Sequence, residues 1–271
     1  MNKKMNINLL ISKQLKLIDK KEDKLLKESN NNYIESKLSP IKEKLEEKIP
    51  QKLQETLELA FEKGFKVVFE KGSTIIEKTY SKDNINMEYD INTYALNKYP
   101  TKKNIKKIDK AANKKSLINK SITAIEGTAL GILGIGLPDI PIYIGVILKS
   151  IYEISLNYGF DYLPEGEKAF ILNIICATVT TGKNRKHYFN TLDMIGYEID
   201  NNVLRYYDIE SLLKETSNKI STHMLTSKFI QGLPIIGVVG GITNFITLQD
   251  ITTIAKLKYK KRYLNKLSNN K

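Results

Sequence analysis

Gly127-Thr-Ala-Leu-Gly-Ile-Leu-Gly-Ile-Gly-Leu-Pro138, continuing through Asp139-Ile-Pro141 into an apolar run to Leu148, is the stretch on which the fold turns. A second stretch of the same kind runs Phe229-Ile-Gln-Gly-Leu-Pro-Ile-Ile-Gly-Val-Val-Gly-Gly-Ile-Thr-Asn-Phe245 and on to Leu248. Both concentrate glycine with Ile, Leu and Val in a lysine-rich chain. Gly127, Gly131 and Gly134 fall at i, i+4 and i+7, on one helix face, and Gly237 and Gly241 lie four apart. A glycine in a helix interior costs roughly 0.5–1 kcal/mol, so close helix–helix approach must offset the loss. The spacing predicts two glycine-rich apolar helical hairpins packed together. Gly127, Gly131, Gly134, Gly136, Pro138, Asp139, Pro141, Gly232, Pro234, Gly237, Gly240 and Gly241 are the candidate helix-packing or membrane-contact residues.

Length and charge bear on whether these segments are core or touch a bilayer. Residues 229–249 carry no charge, matching the ~20 residues of a spanning helix, but Pro234, Gln231 and Asn244 interrupt them. The first segment is split by Asp139, which at mid-span costs about 2.5–3.5 kcal/mol, with Pro138 and Pro141 beside it. It reads as two short helices joined by a turn, with Asp139 capping the second. A fully buried core, an interfacial or re-entrant contact and a simple span are the three readings. Gly-Leu-Pro recurs at 136–138 and 232–234, a faint internal repeat.

Outward from these segments the chain reads as helices. The first segment's second helix runs to about Tyr158, with Gly159 as its stop. Pro164 opens the next, with Glu165 and Glu167 in its first turn. It buries Phe170, Ile171, Ile174, Ile175 and Ala177 and ends by Gly182. Further helices are expected over 185–197 and 208–228, and a last one from about Thr247 into the basic tail. Upstream, Ile41, Leu45 and Ile49 form a stripe that stops at Pro50. A helix from Pro50 carries Leu53, Leu57, Ala60, Phe61, Phe65 and Val68 and stops at Gly72. Residues 73–90 read as helix then loop, and Asn84–Asn97 is polar and tyrosine-rich with weak periodicity. In residues 1–35, Leu9, Leu10, Leu15, Leu17, Ile18, Leu25 and Leu26 suggest a helical stripe. No long segment alternates with period two, so the fold class is all-α, a compact multi-helix domain. The expected organisation is a lysine-rich helical extension over 1–35, a helical domain over 36–267 and a disordered tail over 268–271.

Charge is uneven along the chain. The net charge is +13, and the only arginines are Arg185, Arg205 and Arg262. Residues 1–121 hold 27 lysines against 17 acids, whereas residues 122–228 are net acidic. Basic clusters lie just before the first glycine-rich run and just after the second. Lys102, Lys103, Lys106, Lys107, Lys256, Lys258, Lys260, Lys261 and Arg262 are therefore the candidate anionic-lipid contacts. A solvated helix face is the plainer reading of the same runs. Lysine in place of arginine argues against nucleic acid, although Tyr259 and Tyr263 sit in the second cluster.

Catalytic chemistry is hard to place. Cys176 is a lone cysteine in an apolar run, a buried inert thiol in expectation. His187 and His223 are in no metal-ligand spacing, His187 reading as exposed and His223 as half-buried. No phosphate-binding glycine loop or nucleophile elbow is present. Glu126 and Asp139 bracket the first glycine run and are the one polar pair worth a catalytic alternative. The expectation is no catalytic residue, no cofactor and no metal. The apolar stretch Ile7–Ile11 is too short for a signal-peptide core, which places the chain inside the cell, possible contact being with the cytoplasmic face of a membrane.

In combination and order these motifs resemble the EcsC protein family. The resemblance is carried by Gly127–Gly136 followed by Leu-Pro-Asp139-Ile-Pro, and by the apolar helix to Tyr158-Gly159-Phe-Asp161. It is carried equally by Lys228-Phe-Ile-Gln-Gly-Leu-Pro234-Ile-Ile-Gly237, by Gly240-Gly241-Ile-Thr-Asn244, and by Asp250-Ile251 with the basic tail; Ile49-Pro50 and Gly72 also match. It covers roughly Pro40 to Leu264 and leaves the first ~35 residues outside. It implies a bacterial-type helical protein with no catalytic residue to transfer. The family is named after an operon that also encodes an ABC transporter, so it implies an accessory or regulator of membrane machinery. A soluble protein-interaction module with the glycine hairpins in its core, and a membrane-permeabilising effector, are the alternatives.

Overall fold

A computed structural model of the chain describes residues 3–31, 49–72, 76–112, 139–230 and 241–269. Among them are nine α-helices and no strand. They are α1 (Lys3–Asn31), α2 (Gln51–Val67, prolonged by a π-helical turn Val68–Gly72), α3 (Lys82–Lys98) and α4 (Lys102–Ala111). After these come α5 (Asp139–Asn157), α6 (Glu165–Val179), α7 (Gly182–Asp200), α8 (Ile209–Ile230) and α9 (Gly241–Asn269). The glycine-rich runs themselves, with Gly127, Gly131, Gly134, Gly136, Pro138, Gly232, Pro234, Gly237 and Gly240, lie outside the described residues. Of that set, Asp139 opens α5, Pro141 is buried in its first turn, and Gly241 is the first residue of α9.

α5 is the apolar centre. Ile140, Ile144, Ile147, Leu148 and Ile151 are fully buried. Among the described residues it is the one helix long and apolar enough to cross a membrane, yet 94% of its 140–157 window is buried inside the protein. Two charges, Lys149 and Glu153, are buried within it and face one another at 3.8 Å. α9 lies against both α5 and α6. α6 is buried on nearly every side, between α7, α8 and α9. α2 packs on α5 and α8, α3 on α4 and α5, and α1 on α9 and α7.

The end of α5 is fixed by sequence. Gly159 has φ +77°, and the Phe160 N–H donates to the Ser155 carbonyl (3.0 Å) while the Gly159 N–H donates to Leu156 (2.9 Å). This paired closure satisfies the last carbonyls of the helix and requires a left-handed residue. Pro164 caps α6 as expected, and Gly72 closes the turn after α2.

Three expectations are corrected. The latter part of 73–90 is not a loop: Lys82–Lys98, which takes in the polar stretch Asn84–Asn97, is a helix, and the Ser81 hydroxyl accepts from the Asn84 N–H (3.2 Å), an N-cap. Its periodicity is weak because Leu96 alone is fully buried, and its inner face is made of half-buried Ile85, Tyr89 and Thr93. In α1 the buried stripe is Ile7, Ile11, Gln14, Ile18 and Glu22, whereas Leu9 and Leu17 are 52% and 48% exposed. α9 starts at Gly241, earlier than Thr247, and continues to Asn269, through the start of the expected tail.

Cys176 is buried, its Sγ 3.3 Å from the Thr216 hydroxyl, and burial pushes its thiol up to about 12. The thiolate is the reactive form. The folded protein is therefore expected to show no reaction with an aromatic disulfide reagent at pH 8 over an hour, and one thiol after denaturation. Full labelling of the native protein within minutes would contradict this packing.

Candidate anion-binding groove

Three helix faces converge on one groove of ≈ 540 Å³. α9 contributes Thr253, Lys256, Leu257 and Lys260, spaced i, i+3, i+4 and i+7, the period of a single helix face. α1 contributes Gln14, Leu17, Ile18, Lys21, Lys24 and Leu25, again at helical spacing. Lys102, Lys106 and Asp109 of α4 close a third side, with Tyr158 beyond the end of α5. α4 presents these lysines because Ile105, Ile108 and Ala111 bury its other face. The Thr101 hydroxyl, accepting from the Asn104 N–H (3.3 Å), starts the helix.

One ion pair stitches the groove together. The Lys260 ammonium donates to Asp109 Oδ2 (2.7 Å) and to Gln14 Oε1 (3.1 Å), joining α9 to α4 and α1. The Tyr158 hydroxyl donates to Asp109 Oδ1 (3.1 Å), and burial raises this phenol well above its ordinary range. The Lys260 charge is thus matched by Asp109. Among the described residues, no carboxylate comes within ion-pair distance of Lys21, Lys102, Lys106 or Lys256. Lys21, Lys102 and Lys106 are exposed, but Lys256 is half-buried, and burial depresses its ammonium below the ordinary lysine range. A half-buried cation facing an open groove, with no carboxylate of the described residues within ion-pair distance, makes the groove a candidate site for an anion.

The basic tail does two different jobs. Lys256 and Lys260 line the groove with Lys102 and Lys106, so two lysine clusters far apart in sequence meet there. Lys103 and Lys107 are exposed on α4 but do not line it. Lys258 and Arg262 are 1% and 5% exposed, and this corrects their assignment as lipid contacts. Lys258 pairs with Glu22 and Asp193, each at 2.8 Å, and lies over the Phe189 ring at 4.5 Å. Lys261, partly buried, reaches Glu22 (2.9 Å) and Asp193 (2.8 Å). Arg262 forks onto Glu167 (2.6 and 3.0 Å) and Asp200 (2.7 and 3.0 Å), with its guanidinium 4.2 Å from the Phe160 ring and 4.5 Å from that of Phe170. Tyr259 donates to the same Glu167 (3.1 Å). Positions 258 and 262 turn inward while 256 and 260 turn to the groove, a consequence of 3.6 residues per turn.

Sequence reasoning missed the α1 wall. Its signal was present in the spacing of Gln14, Ile18 and Leu25, but Gln14 is polar and was not counted in an apolar stripe. His187 is exposed and His223 half-buried, as read. Among the described residues no three His, Cys, Asp or Glu side chains converge in a way that would hold a metal.

The profile of the EcsC protein family matches residues 12–264. The match begins inside α1, earlier than Pro40, where the motif resemblance starts. Two proteins of Bacillus subtilis (strain 168) are similar. The uncharacterized protein YdbA is 27% identical over 151 residues, 51% of each chain. Protein EcsC is 23% identical over 193 residues, 70% of this chain and 75% of its own. The matched region spans about half the length of YdbA. No solved structure matches.

Proposed function

This chain belongs to the EcsC protein family, and from that premise we propose that it is a non-enzymatic protein that associates peripherally with an anionic membrane surface. Its role in this reading is that of an accessory or regulator of membrane machinery, an ABC transporter being one candidate, at the cytoplasmic face. The observation that carries the reading is the convergence of lysines from α1, α4 and α9 on one groove. The burial of α5 favours a peripheral mode over a spanning one, because the most apolar described helix is already spent on the core.

Magnitudes fit a reversible contact. Each lysine near an anionic surface contributes about 1 kcal/mol. Lys21, Lys102, Lys106 and Lys256 together give about 4 kcal/mol, which corresponds to dissociation in the millimolar range. Such binding is sensitive to salt, since the Debye length falls from about 10 Å at 0.1 M to about 3 Å at 1 M.

Vesicle flotation tests this. The protein is expected to float with vesicles containing phosphatidylglycerol at 0.05 M salt, to stay behind at 1 M, and to ignore vesicles of phosphatidylcholine alone. Lys102→Glu with Lys106→Glu, both exposed and therefore neutral for folding, should abolish flotation. Absence of binding under every condition, or equal binding to both vesicles, would sink the reading in favour of a soluble interaction module. Release of an entrapped dye at the same protein concentration would instead identify a permeabilising effector.

A further inference from the structure

Resting on that reading, we propose that the groove holds a single phosphate-bearing amphiphile, its phosphate among the lysines and its acyl chain along Leu17, Ile18 and Leu257. Size agrees: ≈ 540 Å³ lies within the range of small-molecule sites, about 300–1,000 Å³. A flat cationic face suited only to a membrane surface would need no such concavity. The lining also has two characters. Leu17, half exposed, sits beside buried Ile18 and Leu257, and the lysines stand around them. Inorganic phosphate makes no use of the apolar part, and an uncharged lipid makes none of the cationic part.

Charge narrows the ligand further. Asp109 stands in the groove and among the described residues is matched by Lys260 (2.7 Å). It repels a polyanion that would run the length of the site, which disfavours nucleic acid and favours one phosphate. Among the described residues Lys21, Lys102, Lys106 and Lys256 have no carboxylate within ion-pair distance, and lysines are compact point charges suited to a phosphate whose orientation is not fixed by a bidentate fork. Lys256 is the central one, because it is half-buried and its charge is the least hydrated.

Calorimetry with three soluble probes below their micellar concentrations tests the proposal: dihexanoyl phosphatidic acid, dihexanoyl phosphatidylcholine and inorganic phosphate. The first is expected to bind at least tenfold tighter than either of the others. Lys256→Gln should weaken it tenfold or more without lowering the unliganded melting temperature, which rises if anything because a half-buried cation is removed. Leu17→Asn, at a half-exposed position, should weaken the amphiphile and not inorganic phosphate. Equal affinity for inorganic phosphate would show a plain anion site and overturn the acyl-chain assignment. Equal affinity for the phosphatidylcholine probe, failure of all three to bind, or indifference to Lys256→Gln would overturn the proposal outright. Flotation of the same variants separates the two readings. If the protein floats with anionic vesicles yet binds no short-chain probe, the groove proposal falls and the surface reading stands. If it binds the probe and never floats, the surface reading falls and the ligand site stands.

Discussion

Arg262→Ala is expected to lower the stability of the protein by about 3–5 kcal/mol, the range for removing one partner of a buried ion pair. The guanidinium is 5% exposed and bridges Glu167 of α6 to Asp200 of α7. Removing it leaves Glu167, 2% exposed, with the Tyr259 hydroxyl as its one side-chain partner among the described residues. Burial already raises the Glu167 carboxyl above its usual range, against the pull of Arg262. Without the cation, Glu167 would protonate or draw water into the core. The loss also includes the stacking of the guanidinium on Phe160 and Phe170, worth roughly 0.5–2 kcal/mol in such settings. α7 can approach closely here because Gly196 carries no Cβ; one at that position would stand 2.9 Å from Arg262 Cδ. Urea denaturation reads the result as a fall in midpoint at unchanged slope. Arg262→Lys should recover only part of the loss, since an ammonium cannot fork onto two carboxylates. A midpoint for Arg262→Ala within about 0.5 kcal/mol of the parent would show that the cluster is solvated and not a structural clasp.

That clasp shows where sequence reading stops. Local punctuation was legible: Pro50, Gly72, Gly159 and Pro164 mark helix boundaries by backbone chemistry, and the structure follows them. The destination of a charge was not. On a helix, Lys256 and Lys258 are neighbours in sequence with opposite fates, and which face turns inward depends on partners far away. Asp200 and Glu167 lie 62 and 95 residues from Arg262, and Glu22 lies 239 residues from Lys261. Composition recorded these as one basic tail, whereas three-dimensional pairing divides it into an internal clasp and a groove wall. The groove was half legible. Its lysines were identified as two clusters, but their meeting depends on the Asp109–Lys260 pair, 151 residues apart, and on α1. α3 was illegible for another reason. Its inner face is built from tyrosine and threonine, and an apolar count does not see a face that packs through aromatic rings and hydroxyls.

Gly159→Ala is expected to cost about 2–5 kcal/mol, through two separable effects. The first is backbone. At φ +77° an L-residue pays roughly 1–2 kcal/mol relative to glycine. The second is packing. A Cβ at Gly159 would overlap the Tyr89 ring of α3, and that ring has little room to retreat, being set edge-on to Tyr263 of α9 with centroids 6.2 Å apart. Overpacking of this kind costs typically about 1–3 kcal/mol. A double-mutant cycle separates them. Against a Tyr89→Ala background, Gly159→Ala should cost only the backbone part, and the difference is the coupling between α3 and the end of α5. If the cost is the same in both backgrounds, the α3 contact contributes nothing and strain alone remains. The substitution also reaches the groove. α3 leads into α4 through Tyr99–Thr101, and the Asn104 amide donates to the Tyr99 and Ala95 carbonyls (2.7 and 3.2 Å). Displacing α3 therefore displaces Lys102 and Lys106, and the Tyr158 hydroxyl beside Gly159 loses its alignment on Asp109. Gly159→Ala should consequently weaken binding of anionic vesicles at temperatures where the protein is still folded, although position 159 carries no charge and lines no part of the groove. Unchanged flotation by a destabilised but folded Gly159→Ala protein would mean that α4 is held in place by α5 and α9 without help from α3.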